Sequence, residues 1–228
     1  TPTTRPGIAV SGSGDVCIDN IYGNLIGNMV EIASDSAASV AITDSLAKSC
    51  SSGVKANGIS NLNISGLMVD TPSGYGIHLN GCSNFRISGL GVNNSTKDGI
   101  LLEACKAGSI TAGVLLAGQR GIALDNCANV SLIACHVRNS STLANGYNGI
   151  NIESCNGCTI SATHSHITVP SNTTVYNLSV SGGSNNIVFG NVLFPTYRGT
   201  VLPKVDSDTC MFLDTMNGLE FGNFRVEL

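Results

Sequence analysis

Three carboxylates recur at equivalent places in this sequence. Glu103, Asp125 and Glu153 each stand four residues after a glycine, Gly99, Gly121 and Gly149 respectively. With only 15 Asp and Glu among 228 residues, three in register single that position out. If the units carrying them stack as adjacent β-rungs, neighbouring carboxylates lie about 5 Å apart and alternate ones about 10 Å. Those spacings bracket the separations at which carboxyl pairs serve as acid and base, or acid and nucleophile, in glycoside hydrolysis. Glu103, Asp125 and Glu153 are therefore the expected catalytic residues.

Other side chains fall beside that row. His78 and Asn151 stand two residues after their glycines, and Asp98 and Arg120 immediately before theirs. Asp98 and Arg120 belong to adjacent units and are expected to form a surface ion pair of little energetic worth. Tyr147 is the penultimate residue of the insertion "NSSTLANGYN" (139–148), which lengthens its unit to 28 residues and is expected to wall the acidic row. A tyrosine there offers a stacking face for a sugar ring. His78, Asp98, Arg120, Tyr147 and Asn151 are the expected substrate-binding residues.

Two further groups are read as structural. His136, Arg138, His164 and His166 cluster elsewhere in the repeat, with no carboxylate in their column, and suit a polar face or a subunit contact. The "CNGC" of Cys155 to Cys158 resembles a redox or zinc spacing. However, Cys158 takes the slot that Leu62, Phe85 and Val130 fill in other units, an interior position. No metal and no cofactor is expected.

The elements that must position these residues follow from the repeat itself. The strings "GVKANGISNLNISGLMV", "GIHLNGCSNFRISGLGV" and "GIALDNCANVSLIACHV" are variants of one unit. Anchors at Gly7, Met29, Gly53, Gly76, Gly99, Gly121, Gly149 and Val175 lie 22 to 28 residues apart. Within each unit apolar and polar residues alternate, as in Ile77 and Leu79, then Phe85 and Ile87, then Val92, so the local period is that of a strand. Three short strands with one apolar face each cannot bury that face alone, but stacked units can. The expected fold is all-β, a parallel solenoid of about eight coils with three short strands per coil. Asp15, Asn61, Asn84, Asn129 and Gly157 recur eight residues after the anchor and suit a left-handed corner. Ala107 breaks that column, and Gly108 beside it is expected to take over by a one-residue shift.

Composition agrees. Gly numbers 27 and charged residues make up only 11%. The net charge of −4 and the lack of any basic block exclude a nucleic-acid surface. No apolar run reaches the roughly 18 residues of a membrane span. Cys82, Cys105, Cys127 and Cys155 form a column expected to be a ladder of interior thiols. Together with the odd total of nine cysteines, this suggests assembly under reducing conditions. The opening "TPTTRPGIAV" has neither an initiator Met nor a signal-peptide core and reads as a piece of a longer chain.

The pattern "GIxLxxCxNxxI" at this period resembles the right-handed parallel β-helix of the pectate-lyase-like superfamily, and most of all the β-helix domain of bacteriophage tailspikes. The resemblance covers residues 7 to about 194, giving a β-helix over 1–194 and a C-terminal cap or oligomerisation segment over 195–228. It implies a homotrimer that binds and depolymerises a bacterial surface polysaccharide, with hydrolysis favoured over elimination. It also implies a place on the virion tail after assembly in the host cytoplasm, without membrane insertion. The alternatives are a non-catalytic β-helical shaft or adhesin segment, favoured by the absence of Trp, and a secreted, extracellular pectinolytic or epimerase-type enzyme.

Overall fold

A computed structural model of the chain describes residues 5–11, 14–24, 27–33, 37–138, 147–166, 178–189, 192–194, 204–205 and 210–212. Among them every regular element is a β-strand, and every strand pairing is parallel. The coil after Gly76 is representative, with strands Ile77–Asn80, Arg86–Ser88 and Gly91–Ser95. Each pairs with its counterpart one unit earlier and one unit later: Ile77 with Val54 and Ile100, Ile87 with Ile64 and Ile110, Val92 with Val69 and Leu115. The chain is thus wound into a tube with three faces. The first and second faces join into one sheet, and the third is an eight-stranded sheet running from Tyr22–Asn24 to Val192–Phe194.

The period-two pattern decides what lies inside. In that same coil Ile77, Leu79, Cys82, Phe85, Ile87, Leu90 and Val92 are all buried. Like residues stack over like, so each coil's apolar set is covered by the sets above and below. Each fully buried aliphatic side chain contributes about 1.5–3 kcal/mol. No coil could bury its apolar set alone.

The anchor glycines are needed for contact, not for backbone freedom. A Cβ on Gly53 would lie 2.6 Å from the carbonyl oxygen of Gly76, one on Gly99 would lie 2.6 Å from that of Gly121, and one on Gly121 would lie 3.0 Å from that of Gly149. Each glycine therefore sits under the next, leaving no room for a side chain.

The corners follow the expected column in part. Asn61, Asn84, Asn129 and Gly157 have φ of 61°, 51°, 55° and 66°, whereas Asp15 is not left-handed. Ala107 takes the left-handed conformation itself, with φ 53°, and no register shift to Gly108 occurs. Gly108 has another reason to lack a side chain, because a Cβ there would overlap the ring of Phe85. Two more left-handed columns, passing through Gly58, Gly81 and Ala104 and through Gly66, Gly89 and Ala112, turn the other corners.

The last full coil is offset from its expected register. Glu153 pairs with Ser181 and Asn151 with Ser179, two residues on from an anchor at Val175. Leu178 and Val180 supply the buried alternation and so set the register. Beyond Phe194, strands Lys204–Val205 and Cys210–Phe212 pair with 179–180 and 187–189, so parallel stacking continues. The rest of 195–228, and with it most of the expected cap, lies outside the described residues.

Candidate functional site

The first face carries the acidic row on its outer side. Asn80, Glu103, Asp125 and Glu153 are register partners on four consecutive rungs, as the spacing predicts. Asp125 and Glu153 are exposed, and the Glu103 side chain is 41% exposed. The carboxylates point outward because the strand alternation sends Leu79, Leu102, Leu124 and Ile152 into the core.

His78 lies beside Lys55 and Leu101 in register, one rung before Glu103 and two residues off its column. That diagonal is short enough for a direct bond, with His78 Nε2 2.6 Å from Glu103 Oε2. The imidazole is 17% exposed. Tyr75 backs it, with ring centroids 4.9 Å apart and tilted by 43°. The Lys97 ammonium also stands over the Tyr75 ring, 4.9 Å from its centroid, a cation–π distance. The result is a continuous series, Lys97–Tyr75–His78–Glu103, that holds a proton-carrying pair at the edge of the acidic row.

Asp98 and Arg120 pair as expected, but not at the surface. Arg120 Nε and Nη2 donate to the two Asp98 oxygens at 3.0 and 2.8 Å, and the Arg120 backbone N–H donates to one of them at 3.0 Å. The Asp98 side chain is 1% exposed and that of Arg120 29%. The carboxylate is sealed under the guanidinium, which corrects the expectation of a weak surface bridge. Burial pulls the Arg120 pKa down, but the Asp98 bond and the charges of Asp98, Tyr75 and Glu153 outweigh it and hold the guanidinium above its usual range.

Between His78 and Asn151 the outward positions are Leu101 and Ala123, and these are 7% and 1% exposed. Leu101 and Ala123 are thus covered, and the acidic row of Glu103, Asp125 and Glu153 runs beside them, two residues further along each strand. Asn151 Oδ1 accepts from Asn148 Nδ2 at 3.0 Å, and Tyr147 beside Asn148 is half-buried. Residues 139–146, most of the expected wall, lie outside the described residues.

The structure therefore brings His78 to Glu103 and Asp98 to Arg120, and aligns Glu103, Asp125 and Glu153. Sequence reasoning left out two members. Tyr75 stands in the column of Asp98 and Arg120, which was the available signal, while nothing in the repeat marks Lys97.

The interior thiols occupy the expected place. Cys82, Cys105, Cys127, Cys155 and Cys158 are all buried, and among the described residues Cys17 is an exposed free thiol. The neighbouring thiol in the ladder and burial push Cys127 and Cys155 up to about 12. On the third face His136 pairs with His164, their rings 5.7 Å apart, and Arg138 Nε donates to His136 Nε2 at 3.1 Å.

Comparison with known proteins gives a family and a fold. The family described as periplasmic copper-binding protein (NosD) matches residues 67–214. No curated protein sequence matches the chain. The periplasmic alginate epimerase AlgG aligns with a TM-score of 0.55 at 11% identity, over 86% of this chain and 61% of that one. The A-module of the Azotobacter vinelandii mannuronan C-5 epimerase AlgE4 aligns at 0.54 and 11%, over 89% of this chain and 65% of that one. The tailspike protein 2 of the Escherichia coli O157:H7 bacteriophage CAB120 aligns at 0.36 and 14%, over 81% and 31%. The chain spans less than two thirds of each. The two epimerase structures share its fold, a parallel β-helix.

The family description names copper, and the described residues do not fit a copper centre. No three His, Cys, Asp or Glu side chains among them converge on one point. The interior thiols are sealed in the tube, and His136 Nε2 is taken by Arg138.

Proposed function

The chain belongs to the family of the periplasmic copper-binding protein NosD, and from that premise we propose that it is a polysaccharide-binding β-helix that acts on its glycan by acid–base chemistry. The observation that carries the proposal is the 2.6 Å bond between His78 and Glu103 at one end of the outward row of Glu103, Asp125 and Glu153. A β-helix offers similar groups at each rung, which suits a repetitive chain as ligand. The fold it shares with two alginate epimerases supports a glycan as that ligand.

In this reading the glycan lies along the outer side of the first face, its sugar rings along the row of Glu103, Asp125 and Glu153. Arg120, paired with Asp98 and partly exposed, holds a polar or acidic substituent. Glu103, Asp125 and Glu153 supply the acid and base for hydrolysis, with His78 governing the proton on Glu103. A second reading has the same pair remove a proton from the sugar ring, leading to elimination or epimerisation. The 2.6 Å His78–Glu103 bond favours that version as well, because it holds a proton donor and a proton acceptor together at one point of the face. A trimeric tailspike depolymerase on the virion is a narrower version of the first reading, supported by the reduced interior thiols.

The test is incubation with a panel of bacterial surface polysaccharides and uronate polymers, comparing the wild type with Asp125→Asn and His78→Gln. New reducing ends, ultraviolet absorbance from unsaturated sugars and deuterium uptake from solvent are followed together. Reducing ends without absorbance, lost in Asp125→Asn, establish hydrolysis on the acidic row. Absorbance or deuterium uptake, lost in His78→Gln, establishes proton removal. Binding without any product overturns the catalytic reading and leaves a glycan-binding shaft.

A further inference from the structure

The third face holds a depression that none of the preceding chemistry uses. Its volume is about 470 Å³, within the range of small-molecule sites. Gly91 forms the floor, with Met68 one rung earlier and Val114 one rung later as walls. Both walls stand out from the face, at 48% and 52% exposed, whereas Gly91 is buried. A Cβ on Gly91 would overlap the Met68 sulfur, so the missing side chain is the room into which Met68 folds. Methionine is unbranched and adaptable, and this wall can turn aside and pack on a guest. A β-bulge borders the same spot. Asn93 and Asn94 stand together opposite Leu116, between the pairs Val92–Leu115 and Ser95–Ala117, and Asn94 is left-handed with φ 53°. Such bulges bend a strand and re-aim its side chains.

The depression is apolar except towards its two ends. Arg138 closes one end, two rungs on from Gly91. Its Nε donates to His136 Nε2 at 3.1 Å, which orients the guanidinium and leaves both Nη groups to other acceptors. No carboxylate among the described residues forms an ion pair with it. At the other end Asn93 Nδ2 donates to Asp70 Oδ1 at 2.8 Å. Asp70 lies three rungs from Arg138, about 14 Å away along the tube. An anionic group is therefore attracted to one end and repelled from the other. We propose that this depression binds a small aromatic acid, with its carboxylate on the Arg138 fork and its ring over Gly91. A guanidinium matches a carboxylate with two parallel hydrogen bonds, and a thioether packs well against an aromatic ring. The walls stand two rungs apart, about 10 Å, which is the scale of a body of one or two rings. The site lies on a different face from the acidic row and does not depend on its chemistry.

The experiment titrates the whole chain with 2-naphthoate and with its neutral counterpart, naphthalene-2-carboxamide, by calorimetry. The variants are Arg138→Gln and Val114→Asp, both at exposed positions, and circular dichroism checks that the β-helix is intact. The wild type is expected to bind naphthoate saturably at one site, and the carboxamide roughly tenfold more weakly. Arg138→Gln is expected to weaken naphthoate by roughly tenfold while leaving the carboxamide unchanged. Val114→Asp is expected to weaken naphthoate more than the carboxamide, since it sets a carboxylate in the wall. Methionine-methyl NMR, with Met68→Leu to assign the signal, is expected to show the Met68 resonance shifting as naphthoate saturates. No saturable binding at millimolar naphthoate, equal affinity for acid and amide, or naphthoate affinity untouched by Arg138→Gln overturns the proposal. Saturation without movement of the Met68 signal overturns it too.

Discussion

Arg120 covers the Asp98 carboxylate from one rung away, and the two groups differ sharply in their access to water, at 29% and 1% exposed. That asymmetry makes the two halves of the pair unequal. Arg120→Ala strands a buried carboxylate and is expected to cost about 3–5 kcal/mol. Asp98→Ala is expected to cost less, since the guanidinium can turn to solvent. Chemical denaturation of both variants checks the order, and equal losses count against a sealed carboxylate.

The His78–Glu103 pair predicts a loss of turnover without a loss of binding. On whichever glycan responds, Glu103→Gln keeps the shape of the side chain but removes its proton-accepting charge. The turnover rate is expected to fall by roughly 10²–10⁴-fold, while the dissociation constant, measured separately by calorimetry, moves only a few-fold. A variant that loses binding and turnover together assigns Glu103 to sugar contact instead.

Ala107 is left-handed on a rung between Asn84 and Asn129, and alanine pays about 1–2 kcal/mol for that conformation. Ala107→Asn restores the residue type that its neighbours use. The expected gain is about 0.5–1 kcal/mol, read as a higher melting temperature, since asparagine tolerates this region better than alanine does.

Gly108 makes the opposite case, because its missing side chain is the space that the Phe85 ring occupies. Gly108→Ala is expected to destabilise by about 1–3 kcal/mol through overpacking. In the Phe85→Leu background the same change is expected to cost less, and a double-mutant cycle of melting curves measures that coupling.

The thiols divide by reactivity. At pH 8, Cys17 is expected to alkylate in the native protein, whereas Cys127 and Cys155, held at about 12 by their neighbours and by burial, label only after denaturation. Peptide mapping by mass spectrometry locates the label. Native labelling at Cys127 means that the tube opens.

The fold was legible because the solenoid writes each inward position many times over. Ile77, Ile100, Ile122 and Ile150 state one column four times, and the asparagines at 61, 84 and 129 announce one corner. The corner at Ala104 was hidden because alanine does not advertise a left-handed backbone. The acidic row was legible for the same reason as the core, since it is a column. The His78–Glu103 bond was not, because it runs diagonally, one rung up and two residues across, and a reading by columns keeps those two residues apart. Asp98 and Arg120 were matched correctly, but their burial depends on what covers them from neighbouring coils, which adjacency alone does not reveal.

The glycines stacked at 53, 76, 99 and 121 have a consequence for the order of folding. Each rests against the carbonyl of the next coil, so a coil becomes complete when its successor arrives, some 23 residues later. Among the described residues every strand pairs with the coil next to it, not with a distant part of the chain. Structure can therefore grow in one direction as a zipper while the polypeptide is still being made. A fault in one coil would stall that growth at a definite height instead of scrambling the whole molecule.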